Sequence, residues 1–221
     1  MNFSFSDVQN SQNADVKPLE GNKIYEVTFD GCEARDFAGK QDASKTYKVL
    51  EIKFSNSEGA FTHTIWQPRD EDFEDRTSAM GYKQPANALV MVYLFKHLLD
   101  AVNPEASEKI NKGELKLDVN VNNWDSVRKF MVEQTNPGKG KTTKIKLIKN
   151  NKGEAIFPYF LSYSKENKPY MTTNFIGNGV YFTTKELDKI SKANNAKPTN
   201  NINELSLPKK TTDDEFMDDD I

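Results

Sequence analysis

Thr46-Tyr-Lys-Val-Leu-Glu-Ile-Lys-Phe-Ser-Asn-Ser-Glu-Gly-Ala-Phe-Thr-His-Thr-Ile-Trp-Gln67 is the stretch that decides the fold. Over residues 46–55, Leu50, Ile52 and Phe54 fall on one face and Glu51 and Lys53 on the other, the period-two pattern of a half-buried strand. Asn56-Ser57-Glu58-Gly59 has the composition of a turn. Residues 60–67 return as a second strand, so the two read as a hairpin. Upstream, Tyr25, Val27 and Phe29 alternate with Glu26, Thr28 and Asp30. That spacing predicts a strand over 23–30, broken by Gly31 and by the polar run 36–44.

Downstream of the hairpin the period changes. An acidic loop covers 68–83, and Pro85 stands where a helix favours proline. The run Ala-Leu-Val-Met-Val-Tyr-Leu-Phe-Lys-His-Leu-Leu is apolar around most of a helical circumference and ends at Asn103-Pro104, so it predicts a deeply buried helix. Residues 105–112 extend the helical region by a turn or two. Asn123 is placed to cap a further helix over 124–134, with Trp124, Val127, Phe130 and Met131 on one face. A basic loop then leads into a strand that turns inward at Ile145 and Leu147 and outward at Lys144 and Lys146. Asn150-Asn-Lys-Gly153 turns the chain, and residues 155–163 return as a strand. A further extended stretch is expected near 170–175, and Thr183 with Glu186 forms a capping-box spacing for a last helix ending near 193.

The order is three strands, a helical insertion, then two strands. The fold class is therefore α+β, mainly β, and the order is that of an OB-fold, a five-stranded Greek-key barrel that binds oligonucleotides. A different α+β packing of a meander with helices has the same element order. The domain reading is an N-terminal arm over 1–20, a core over 21–193, an Asn-, Pro- and Lys-rich linker over 194–210 and a tail over 211–221.

Composition bounds the chemistry. With one cysteine, Cys32, and two histidines, His63 and His97, the chain has no internal disulfide and no zinc cluster to build. No nucleophile–base pair has a meaningful spacing, so a binding protein is expected rather than an enzyme, with no cofactor and no metal. Gly138-Lys-Gly-Lys-Thr-Thr143 has phosphate-loop residue types but not the spacing, and it follows a helix rather than a strand. The acidic loop 70–75 lacks a calcium-loop pattern. No signal-peptide pattern opens the chain, and the longest apolar stretch is interrupted by Asn87, Lys96, His97 and Asp100. A cytoplasmic protein without membrane contact is the expectation.

Two charge features point to a polyanion. Lys139, Lys141, Lys144, Lys146, Lys149 and Lys152 crowd one loop and hairpin, with only Glu154 to oppose them. Such a stripe is the footprint of a phosphate-binding surface, although lysines on a solvated strand also protect an edge or meet a protein. Arg35 and Lys40, after the first strand, and Lys53, on the hairpin, are further phosphate candidates. Aromatics accompany them: Tyr47 and Trp66 on the hairpin, Tyr159 and Tyr163 on the later strand. Trp66 leads this group, because Thr62 and Thr64 share its face and mark that face as solvated. With Phe61 on the hairpin and Phe157 and Phe160 on the later strand, about half of the strand aromatics must point into the core; Phe157, Tyr159 and Tyr163 share one parity and Phe160 has the other.

The tail reads Thr211-Thr-Asp-Asp-Glu-Phe-Met-Asp-Asp-Asp-Ile221. Asp213, Asp214, Glu215, Asp218, Asp219 and Asp220 are its six acids, and Phe216, Met217 and Ile221 are set among them. The whole chain has a formal charge of -3, which leaves residues 1–210 at +3. A segment of this kind does not bury enough apolar surface to fold alone and serves as an interaction tail, or simply as a solubilising one.

With hairpin, aromatics and tail in view, the chain resembles the replication single-stranded DNA-binding proteins of tailed bacteriophages. Bacterial relatives of that family end in Asp-Asp-Asp-Ile-Pro-Phe. Here Asp218-Asp219-Asp220-Ile221 stands in the corresponding place and phenylalanine appears upstream, as Phe216. The resemblance implies sequence-independent binding of single-stranded DNA in phage-type replication and recombination, in the host cytoplasm. It also implies a tail that recruits polymerase, helicase or primase. The assembly is left open between a monomer and a homo-oligomer. An alternative of another class is a virion or replisome adaptor whose basic hairpin binds protein.

Overall fold

A computed structural model of the chain describes residues 16–39, 44–77, 81, 83–158, 161–171 and 174–195. The chain divides into two compact units, residues 1–183 and 184–221. Among the described residues the architecture is α+β and mainly β: a curled five-stranded antiparallel half-barrel and four α-helices.

The half-barrel is organised by its first strand. β1 (Lys23–Ala38) continues through Gly31, where the sequence pattern placed its end. Register slips between Phe29 and Gly31, leaving Asp30 as the extra residue of a β-bulge, and Gly31 takes φ +119. Glycine tolerates that backbone where other residues strain, so a breaker in sequence acts here as a bend within one strand. The bend divides the pairing. Lys23–Thr28 pairs with β6 (Thr142–Lys149), and Thr28–Ala38 pairs with β2 (Thr46–Asn56). β2 pairs in turn with β3 (Gly59–Trp66), and β6 with β7 (Ala155–Ile156), giving the order β3-β2-β1-β6-β7.

The start of the chain's described part belongs to this sheet rather than to a loose arm. Leu19 N–H donates to Ala60 O and Ala60 N–H to Lys17 O, both at 2.9 Å, and Leu19 is buried. Gly59 permits this, since a Cβ there would lie 2.1 Å from Lys17 O. Residues 1–15 of the expected arm lie outside the described residues.

Between β3 and β6 run a short helical turn (Asp70–Phe73), a two-residue ladder of β4 (Arg76–Thr77) with β5 (Lys83–Gln84), and three helices: α1 (Asn87–Val102), α2 (Pro104–Asn111) and α3 (Trp124–Thr135). Leu94, Phe95, Leu98, Leu99 and Val102 of α1 and Trp124, Val127 and Met131 of α3 join Leu50, Ile52 and Phe54 of β2 in one core. Each such side chain contributes about 1.5–3 kcal/mol when fully buried. Asn123 precedes α3 without capping it through its side chain; it bonds back to Asn120 and Asp118 instead.

The returning strand expected over 155–163 is broken. β7 is two residues long, and Phe157-Pro158 follows. Proline has no N–H for a ladder, and the chain leaves the sheet there. Leu161–Tyr163 (β8) pairs with Pro169–Met171 (β9) as a separate hairpin. Phe157 instead packs among Phe54, Phe61 and Phe175, with ring centroids at 6.1, 4.9 and 4.9 Å. Side chains thus fill the seam between the β3 and β7 ends of the half-barrel, which no ladder closes among the described residues. Further along β6, Lys146 N–H donates to Phe175 O and Gly177 N–H to Lys144 O, so residues 175–177 occupy that edge. The last helix, α4 (Thr184–Asn195), lies in the second unit.

Candidate nucleic-acid interface

The outer face of β1, β2 and β3 is built by alternation. Core residues Leu50, Ile52 and Phe54 turn in, so Tyr47, Val49, Glu51 and Lys53 turn out. On β3, Thr62, Thr64 and Trp66 share that face, and on β1, Glu33, Arg35 and Phe37 do. Register sets Val49 between Arg35 and Trp66, and Phe37 opposite Tyr47. Val49 is fully buried although its position alternates outward. Tyr47 and Trp66 remain 45% and 55% exposed, edge to face with ring centroids 5.9 Å apart. The Arg35 guanidinium lies 4.9 Å from the centre of the half-buried Phe37 ring. The outcome is an exposed aromatic surface on the sheet, with Trp66 on its β3 edge, exposed as the threonine pattern indicated. Phe37 was not singled out from sequence. Continuing the strand past Gly31 would have placed it beside Arg35.

The cations on this face are already engaged. Glu51, whose side chain is 10% exposed, accepts Arg35 at 3.3 Å and Lys53 at 3.2 Å. Lys53 also pairs with Glu33. Burial alone would lower the Lys53 pKa, but the two carboxylates outweigh it and the pKa is raised; Lys53 in turn holds Glu33 low. Glu51 therefore already holds one nitrogen of the Arg35 guanidinium and the Lys53 ammonium. A second set secures α3 to the sheet: Arg128 bonds Asp36 at 2.5 Å, Arg35 O at 3.0 Å and Asp125, and Asp125 also holds Lys48.

The six-lysine stripe splits. Lys139, Lys144, Lys149 and Lys152 are exposed, with no ion-pair partner among the described residues. Lys149 and Lys152 flank the β6–β7 turn. Lys141 is exposed along its length, but its ammonium donates to Val102 O at 2.8 Å, at the C-terminus of α1, where a cation is favoured. Lys146 corrects the expectation outright. Its position alternates outward, yet it is fully buried, with Nζ donating to Tyr181 O at 2.9 Å and lying 5.7 Å from the Phe182 ring. A later segment covers that side of β6, which local alternation cannot foresee. Tyr163 lies elsewhere than on the expected returning strand. It sits on the β8–β9 hairpin, donates its hydroxyl to Asp75 at 2.7 Å and lies 5.1 Å beneath Lys83. That bond to Asp75 raises the Tyr163 pKa and lowers the Asp75 pKa. Lys40, Tyr159 and the tail residues Asp213–Ile221 lie outside the described residues.

Trp66 and Tyr47 also border a groove of about 1090 Å³ that sequence reasoning missed. It runs beside the outer edge of β3, which no strand among the described residues pairs beyond the bridge at Ala60. Buried Ile65, Ala88 and Leu94 with half-buried Met91 form its apolar wall; Gln67, Arg69, Arg76, Gln84 and Asn87 form its polar one. His63 opens onto it between Phe61 and Phe157, and burial pushes its pKa down to about 4. No group of three metal-binding side chains occurs among the described residues, and no described helix is long and apolar enough to cross a membrane. Comparisons with protein-family models, curated proteins and solved structures return no match.

Proposed function

We propose that this chain binds single-stranded DNA with little sequence preference, on an OB-type barrel left open at one seam. The observation that carries the reading is the exposed Tyr47–Trp66 pair on the outer face of β2 and β3. Strands two and three, and the loops after strands one and four, are where OB-folds bind oligonucleotides. Here those loops follow Arg35 and Phe37 and carry Lys149 and Lys152. Stacking on aromatics tolerates any base, and free lysines track the backbone. The order of a bent first strand shared by two neighbours, and of helices inserted between β3 and β6, supports the OB assignment.

In this reading the acidic tail competes for the basic surface and is released when DNA binds. Its acids then steer to basic patches on replication proteins, with Phe216, Met217 and Ile221 as apolar anchors. The test is titration of fluorescent oligo-dT and a matched duplex with the full chain and with residues 1–210, at two salt concentrations. Preferential, salt-sensitive binding of the single strand, tightened by the truncation, is the expected result. Absence of binding by both forms would refute the nucleic-acid reading and leave the hairpin and tail as protein-docking surfaces.

A further inference from the structure

The groove beside β3 has a feature that the aromatic surface lacks, namely an uncommitted arginine. The chain has four arginines. Arg35 is paired with Glu51, Arg69 with Glu71 and Asp72, and Arg128 with Asp36 and Asp125. Arg76 is exposed, lines the groove and has no partner among the described residues. The groove also holds two carboxylates. Asp72 accepts the Arg69 N–H at 2.9 Å and Asn87 Nδ2 at 3.1 Å, which lowers its pKa and occupies its oxygens in fastening the turn to α1. Asp70 is exposed at the rim.

Volume and continuity indicate the occupant. At about 1090 Å³ the groove lies at the upper end of the roughly 300–1,000 Å³ of small-molecule pockets and is partly open to solvent. A site of that size and openness has room for a chain-like ligand. Its mouth is formed by the same Tyr47 and Trp66 that form the aromatic surface. Side-chain amides of Gln67 and Gln84 offer donors and acceptors to base edges, and Arg76 offers a fork suited to a phosphate.

We infer that the groove is the continuation of the single-strand path: nucleotides beyond the one stacked on Trp66 turn over the β3 edge, and Arg76 holds the phosphodiester there. This rests on the single-strand reading proposed above. It makes Arg76 a backbone contact that acts only once a strand is long enough to pass Trp66.

Full-length wild type, Arg76→Ala, Arg76→Lys and Trp66→Ala would be titrated with oligo-dT of about 4, 8 and 16 nucleotides across a salt series. Arg76→Ala is expected to weaken the longer oligomers several-fold and leave the shortest unchanged. Its log–log salt slope should fall by about 0.7, one single-strand phosphate, and Arg76→Lys should restore that slope. Unchanged length dependence and slope in Arg76→Ala, with binding lost in Trp66→Ala, would overturn the groove path and leave the aromatic surface standing. Equal weakening at every length would also overturn it, since the arginine would then act at the first nucleotides. Binding unaffected in Trp66→Ala would instead remove the reading on which the path depends.

Discussion

Replacing Trp66 by alanine separates what its indole does for the fold from what it does for a ligand. The side chain is 55% exposed, so the fold buries less than half of it. Large aromatics offer about 150–250 Å², and at about 25 cal/mol/Å² the buried part corresponds to roughly 2–3 kcal/mol at the upper bound. That includes the edge contact with Tyr47. For a chain of this length the loss lowers Tm by roughly 4–12 °C. On the proposed reading the exposed part would stack a base, with an expected contribution of about 1–3 kcal/mol, equivalent to a rise in Kd of about 5- to 150-fold. Thermal unfolding reads the first quantity. Fluorescence anisotropy with oligo-dT, at a temperature well below the lowered Tm, reads the second. Trp66→Phe keeps a π-face and should recover most of the affinity. A folded Trp66→Ala protein that binds within twofold of wild type would refute base stacking on this face.

Lys146→Ala should lower stability by about 2–4 kcal/mol, through a cavity and an unpaired Tyr181 carbonyl, and leave the salt slope of DNA binding unchanged. The triple change of Lys144, Lys149 and Lys152 to alanine should do the reverse, cutting the slope by about 2 with Tm nearly constant; denaturant titration and salt-dependent binding distinguish the two. His63, with its folded pKa near 4 against 6.5 unfolded, binds fewer protons folded than unfolded between those values. Its contribution is therefore intact above about pH 6.5 and is lost as pH falls toward 4, by roughly 3 kcal/mol; that part of the stability–pH slope should vanish in His63→Gln. Burial pushes the Cys32 thiol up to about 12, despite its bond to Thr135, so alkylation of the native protein at pH 8 should be slow and should track unfolding.

The local parts of this fold were legible and the long-range parts were not. Leu50, Ile52 and Phe54 set the inward face of β2, and Thr62 and Thr64 correctly marked the Trp66 face as solvated, because period two is a property of the strand itself. Gly31 was misread because a glycine that ends a strand and one that bends it look alike in sequence; only pairing with two different partners tells them apart. Pro158 was the missed signal for the break after β7. Lys146 was beyond local reasoning, since the residues that bury it, Tyr181 and Phe182, come some thirty-five positions later. Arg76 and the groove were hidden for the same reason: β3, β4 and α1 meet there only in three dimensions. The lysine hairpin therefore offered a longer basic surface in sequence than the folded chain presents.

The shared first strand also sets a timetable. Its far half meets β2 across a short connection, whereas its near half must wait for β6; Lys23 pairs with Leu147. Closing so long a loop costs entropy before any contact rewards it, and non-local pairing of this kind slows folding. The β1–β2–β3 meander is then expected to form in the transition state, and the β1–β6 ladder after it. In stopped-flow kinetics Ile52→Val should chiefly slow folding and Val27→Ala chiefly speed unfolding. Until the ladder closes, β1 has a bare edge over six residues, and a nascent chain released with that edge uncovered is at its most vulnerable to pairing with a copy of itself.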